Sequence, residues 1–115
     1  MKQLFIFEMA NNHMGDVSHG IRLIREFAKV KQQYEEFDFA IKFQFRNIDS
    51  FIHPDYKDRM DLKYVKRFSE TRLTNKEFLS MKSEAERLGF IPICTGFDED
   101  SVDLIEEMGF SIIKI

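Results

Sequence analysis

The chain has a single cysteine, Cys94, among 115 residues, and no tryptophan. One thiol cannot build an internal disulfide framework, so the fold must be held by its core and a reducing, cytoplasmic setting is expected. Two prolines and five glycines are too few for a collagen-like or low-complexity chain. No stretch approaches the ~18 uncharged apolar residues of a membrane span. Met1 is followed by polar Lys2 and Gln3 and then by a short apolar run, residues 4–7, so a secretory leader is not expected. An excess of positive charge is also missing: 17 Lys+Arg face 20 Asp+Glu, a net charge of -3. Neither a nucleic-acid partner nor a membrane partner is therefore expected.

What is present suits one ordinary domain. Apolar residues make up 43% and charged residues 32%, which excludes a disordered chain and permits a real core at this length. Thirteen phenylalanines stand out against three tyrosines. A phenylalanine has no hydrogen-bonding atom, so the rings are expected to fill the layer between a sheet and its helices.

Four apolar segments, residues 4–7, 39–45, 90–94 and 110–115, read as strands. Between the first two, from 17 to about 34, Ile21, Ile24, Phe27, Ala28 and Val30 recur at the spacing of an amphipathic helix, with Asp16 as its N-cap. Thr74-Asn75-Lys76-Glu77 matches a capping box, and Phe78, Met81, Ala85 and Leu88 follow on one face until Gly89. Asp98 can cap a further helix in which Val102, Ile105 and Met108 face inward before Gly109. Residues 47–73 form a long connection, in which 51–56 read as loop and Leu62, Val65 and Phe68 suggest a short helix. The order predicts an α/β fold of parallel βα repeats joined by right-handed crossovers. Four such repeats are the first four strands of a TIM-type (β/α)8 barrel, for which ~250 residues are typical. Residues 1–115 are thus expected to be the N-terminal half of such a domain, truncated and with no second domain, exposing an open sheet edge and an apolar inner face.

Strand alternation sorts the polar residues. Ala40, Lys42 and Gln44 share one face of the second segment, opposite Phe39, Ile41, Phe43 and Phe45. On the same parity lie Glu8 after Leu4 and Ile6, Thr95 after Ile91 and Ile93, and Lys114 after Ile112. Ligands bind at the C-terminal edge of parallel strands, where these residues cluster. Two lysines turned into an apolar interior require anions, and Glu8 can neutralise only one of them. An anionic ligand, carboxylate or phosphate, between Lys42 and Lys114 is one reading. The other is an ordinary Lys42–Glu8 pair, with Lys114 turned to solvent.

The remaining candidates are weaker. Asn11-Asn12-His13-Met14-Gly15 is a phosphate cradle, a substrate loop or simple turn chemistry. His13, His19 and His53 lack the compact spacing of a metal site. Asp98-Glu99-Asp100 lacks the glycine and terminal glutamate of a calcium loop. Cys94 sits in an apolar strand and reads as structural. Arg46 could clamp an anion or lie exposed beside acidic residues.

Four segments together resemble the sialic acid (N-acetylneuraminate) synthase family. Phe7-Glu8-Met9-Ala10-Asn11-Asn12-His13-Met14-Gly15-Asp16 looks like its opening motif and Ile41-Lys42-Phe43-Gln44 like its Lys-x-Gln strand. Thr95-Gly96-Phe97-Asp98-Glu99-Asp100-Ser101-Val102-Asp103 is similar to its third-strand segment, and Ile113-Lys114-Ile115 to its fourth. The resemblance implies a (β/α)8 enzyme that condenses phosphoenolpyruvate with an open-chain N-acetylated amino sugar, N-acetylmannosamine or a relative, releasing phosphate. Lys42, Thr95 and Lys114 would hold phosphoenolpyruvate. Gln44 and Asn12 would contact substrate, and Glu8 would give acid/base or electrostatic support. A divalent metal, Mn2+ or Mg2+, is implied with ligands beyond this chain, as is a homodimer of the complete protein; the 115 residues alone are expected to be inactive. The family commonly has proline where Gly96 stands, which would loosen this loop, and the acceptor could be another amino sugar of surface polysaccharide synthesis. Two rival readings are a Schiff-base aldolase of the same fold, using Lys114 or Lys42, and a non-catalytic α/β module that binds an anion.

Overall fold

The computed structural model describes residues 2–45, 54–56 and 58–115. Along the chain run β1 (Leu4–Ala10), α1 (Val17–Lys31), β2 (Asp38–Phe45), a 3₁₀ turn (Pro54–Tyr56), α2 (Lys63–Glu70), α3 (Asn75–Arg87), β3 (Ile91–Gly96), α4 (Glu99–Glu107) and β4 (Ile112–Lys114). The strands form one parallel sheet in the order β1-β2-β3-β4. This is the α/β repeat expected, and the phenylalanine side of the sheet decides where the helices go. Phe39, Phe43 and Phe45 are buried against Ile24 and Ala28 of α1, Phe78, Met81 and Ala85 of α3, and Ile105 of α4. Phe7 stacks on Phe27 at 4.6 Å between centroids, while Phe78 meets Phe43 at 5.6 Å and Phe45 at 5.1 Å.

The opposite face is covered only at its centre. Ala40 and Ile93 are buried there, whereas Leu4, Ile6 and Ile112 remain 43%, 47% and 40% exposed. β1 and β4 are the edge strands. An open edge beside a partly exposed apolar face is the surface expected of four barrel strands. Among the described residues no helix is long and apolar enough to cross a membrane.

Local capping follows the sequence closely. Asp16 accepts from the Ser18 and His19 N–H groups. Thr74 and Glu77 exchange both hydrogen bonds of the capping box, at 3.0 and 3.1 Å, and Asp98 accepts from Ser101 N–H at 2.7 Å.

Other expectations need correction. β1 runs on to Ala10 and β3 to Gly96 because their ladders with β2 continue that far, and pairing rather than local apolarity sets strand length. β4 is shorter than residues 110–115, and α1 ends at Lys31 instead of near 34. Val30 is 42% exposed, since it lies roughly 120° around the helix from Ile24. Val102 is 38% exposed, while Ser101 and Ile105, four residues apart, take the buried line. Lys82, on the core side of α3, is 7% exposed; its Nζ pairs with Glu86 at 2.7 Å and stands 5.3 Å over the Phe110 ring. Its spacing of four from Phe78 was the available signal for that burial.

Candidate anion site at the carboxyl edge of the sheet

The strand register assembles the site. Glu8 of β1 is level with Lys42 of β2, and that row continues through Ile93 to Ile112. One step nearer the carboxyl edge, Gln44, Thr95 and Lys114 form a second row across β2, β3 and β4. All five polar residues thus share the face opposite the phenylalanines. Two strand spacings and two residues separate Lys42 from Lys114, about 12 Å between backbones, so a small ligand on this face lies within reach of both side chains.

The charges on this face do not cancel. Lys42 Nζ pairs with Glu8 Oε1 at 2.6 Å, the lysine side chain 16% and the glutamate 56% exposed. The ordinary pair and the ligand site were alternatives in the sequence; the structure contains the pair and still leaves Lys114 exposed, with no ion-pair partner among the described residues. Among the described residues one cation is therefore in surplus, beside Thr95 and Gln44 in the same row. A carboxylate or phosphate placed on such a face would meet opposite charge, with the half-exposed Glu8 carboxylate beside it.

Behind Glu8 the chain makes an irregular turn. Met9 follows Phe5 and Phe7 on the helix-facing parity and is fully buried, and around it the register slips between Glu8 and Ala10. Ala10 and Met14 have left-handed φ of 45° and 58°, a conformation unfavourable for side-chain-bearing residues and concentrated at functional sites. Asn12 Nδ2 donates to the Glu8 carbonyl at 3.4 Å, and Asn12 N–H donates to Met9 O at 2.9 Å. Gly15 has φ 75°, and a Cβ there would stand 2.5 Å from the Glu70 carbonyl oxygen at the end of α2. The loop beside Glu8 is thereby fitted to the long connection.

Several candidates lie elsewhere. Cys94 points to the helix side and is fully buried, and burial pushes its thiol up to about 12, the environment of a structural cysteine. His13 is buried behind the loop, and His19 lies on α1. His53 and Arg46 fall outside the described residues. Asp98 is engaged as the N-cap of α4, as the capping reading required. Gly96 does not loosen its segment: a Cβ there would come within 3.0 Å of Val102 and 3.1 Å of Ile105, so α4 is seated directly on the strand end. Among the described residues no group of three or more His, Cys, Asp or Glu could hold a metal ion. The implied divalent metal does not fit these residues, and no chemical step is assigned to it here.

The chain is similar to known proteins over nearly its whole length. A Chromobacterium violaceum protein named for spore coat polysaccharide biosynthesis (protein E) is 56% identical, with a TM-score of 0.94 over 99% of this chain and 34% of that one. The N-acetylneuraminic acid (sialic acid) synthetase of Leptospira borgpetersenii, crystallised with citrate, is 28% identical, with a TM-score of 0.76 over 100% of this chain and 36% of that one. An uncharacterized protein of Methanocaldococcus jannaschii is 31% identical over 110 residues, 96% of this chain and 29% of its own length. The chain thus spans about a third of these relatives. The model of the NeuB family matches residues 30–115, three-quarters of the sequence. The resemblance carried by the four strand-end motifs holds, and the chain belongs to the NeuB family.

Proposed function

We propose that this chain supplies the phosphoenolpyruvate-gripping part of a synthase that joins phosphoenolpyruvate to an open-chain N-acetylated amino sugar with consumption of one water, forming a nonulosonic acid and releasing phosphate. The observation that carries the reading is the double row on one sheet face: the Glu8–Lys42 pair, and beside it Gln44, Thr95 and Lys114. Phosphoenolpyruvate carries a carboxylate and a phosphate, two anionic groups for two lysines. In this assignment Lys42 and Lys114 offset its charge, Thr95 donates a hydrogen bond to it, and Gln44 and Asn12 face the sugar. Glu8, anchored by Lys42, supports the reacting carbons as acid/base or by its charge. Preorganised charge of this kind needs no rearrangement as the phosphate leaves. The Leptospira relative's complex with citrate, another multiply charged carboxylate, is consistent with such a face.

The acceptor we assign is N-acetylmannosamine or a related amino sugar destined for surface polysaccharide, which suits the name of the Chromobacterium relative. A divalent cation, manganese or magnesium, would take its ligands from beyond this chain. The complete enzyme would work in the cytoplasm as a homodimer.

In the complete protein carrying this chain, Lys42→Met and Glu8→Gln should each abolish phosphate release from phosphoenolpyruvate while leaving the fold intact by circular dichroism. A lysine 4 Å from an anion at an effective dielectric of 20 contributes about 4 kcal/mol, roughly a thousandfold in affinity. Wild-type turnover in both variants would refute the assignment. Borohydride trapping of substrate on Lys114 would instead establish Schiff-base chemistry.

A further inference from the structure

The loop after Glu8 contains a histidine that the proposed reaction does not use. His13 is only 3% exposed, and its Nδ1 accepts the Gly15 N–H at 3.0 Å. That nitrogen therefore holds a lone pair, and the neutral ring carries its proton on Nε2. The ring is walled in by the helices: a Cβ on Gly20 of α1 would come within 3.1 Å of the His13 Cβ and would also strike Met81 Sδ of α3. On both sides the backbone is left-handed, at Ala10, Met14 and Gly15. Such a turn persists only where specific bonds overdetermine it. They include Asn12 N–H to Met9 O, Met14 N–H to Asn11 O, Asp16 N–H to His13 O, and Gly15 N–H to the imidazole. Three of these four join main chain to main chain; the fourth depends on the identity of one side chain. At the other end of the same turn Asn12 Nδ2 donates to the Glu8 carbonyl.

We propose that His13 is a positioning residue for Glu8. By accepting the Gly15 N–H, its Nδ1 lone pair locks the turn, the turn fixes Asn12 against the Glu8 main chain, and the Glu8 carboxylate is thereby held in register with Lys42. In this role His13 acts through the turn, not on the substrate. The role rests on the synthase reading above, because it assigns Glu8 to the reacting carbons.

The test compares His13→Asn with His13→Gln in the complete protein. Asparagine Oδ1 lies as many bonds from Cβ as imidazole Nδ1 and can accept the same N–H; the glutamine amide corresponds to the Nε2 position. His13→Asn should keep hydrogen-exchange protection of the Gly15 amide and hold kcat within about threefold of wild type, since the positioning bond survives. His13→Gln should lose that protection and drop kcat roughly tenfold to a hundredfold, the scale of a misplaced reacting group, with KM for phosphoenolpyruvate nearly unchanged because the lysines and Thr95 are untouched. Wild-type kcat in His13→Gln with an unprotected Gly15 overturns the role. So does a kcat in His13→Asn as low as in His13→Gln, or a loss confined to KM. Should the glutamine variant not fold, His13→Asn decides: retained kcat with retained Gly15 protection supports the role, and loss of either overturns it. The two readings fail separately. A wild-type protein that does not consume phosphoenolpyruvate overturns the synthase and this assignment with it, whereas wild-type consumption with an unimpaired His13→Gln removes the positioning role alone.

Discussion

Replacing Gly15 by alanine tests how the loop beside Glu8 is held. Two costs add. A φ of 75° places an alanine in the left-handed region, which costs about 1–2 kcal/mol for an L-residue. The new Cβ would also lie 2.5 Å from the Glu70 carbonyl oxygen and 3.2 Å from Thr71 Cα. Both are main-chain atoms, so the end of α2 must move rather than a side chain turn aside, an overpacking cost of about 1–3 kcal/mol. The sum, about 2–5 kcal/mol, is a large part of the 5–15 kcal/mol that stabilises a typical domain. Gly20→Ala is the internal control. Its Cβ would meet Met81 Sδ and the His13 Cβ, which are side-chain atoms, and its backbone is helical, where alanine gains about 0.8–1.0 kcal/mol over glycine. The net expectation there is a loss of about 0–2 kcal/mol. Thermal melts of the complete protein carrying either substitution should therefore show a clearly larger destabilisation for Gly15→Ala. A neutral Gly15→Ala, or a Gly20→Ala that is equally damaging, would refute the argument that the loop is fitted against the main chain of α2.

Thr74→Ala should destabilise the protein by about 1 kcal/mol, because it removes the acceptor for the Glu77 N–H, and Thr74→Ser should restore most of the loss; equal melting of the two variants would contradict the capping box. Cys94 should resist iodoacetamide at pH 8 in the native protein and react once urea exposes it, since burial holds its thiol near 12. The same shift carries a sign. The folded thiol titrates above its ordinary value of 9.0, so its contribution to stability is complete below pH 9 and is lost as the pH rises toward 12, where the folded thiol also ionises. Prompt native labelling at pH 8 would show that the thiol is accessible after all.

The caps, the helix stripes and the two faces of each strand were legible because they depend on residues within a turn or two of one another. Thr74 with Glu77, Asp98 with Ser101, and the alternation of Phe39, Ile41, Phe43 and Phe45 with Ala40, Lys42 and Gln44 are local periodicities. Family membership was legible for a related reason, since four short motifs retain their order along the chain. Val30 and Val102 misled because apolarity alone does not say which residues lie on the buried line. Lys82 was missed because a lysine is seldom buried: its four-residue spacing from Phe78 and Glu86 was readable, whereas its place over the Phe110 ring, just before β4, was not.

By itself, then, the sequence determined which strand residues face the helices, which face the other side of the sheet, and where α1, α3 and α4 begin, since these follow from the spacing of apolar and capping residues along one segment. Only the tertiary structure decided that Glu8 stands level with Lys42 and Thr95 with Lys114, that the register slips after Glu8, and that His13 closes on Gly15 while Gly15 abuts Glu70. The reason is physical. A strand's period of two assigns a side chain to a face, but its partner across the sheet depends on how far the neighbouring strand slides, and hydrogen bonding and packing between distant segments set that distance.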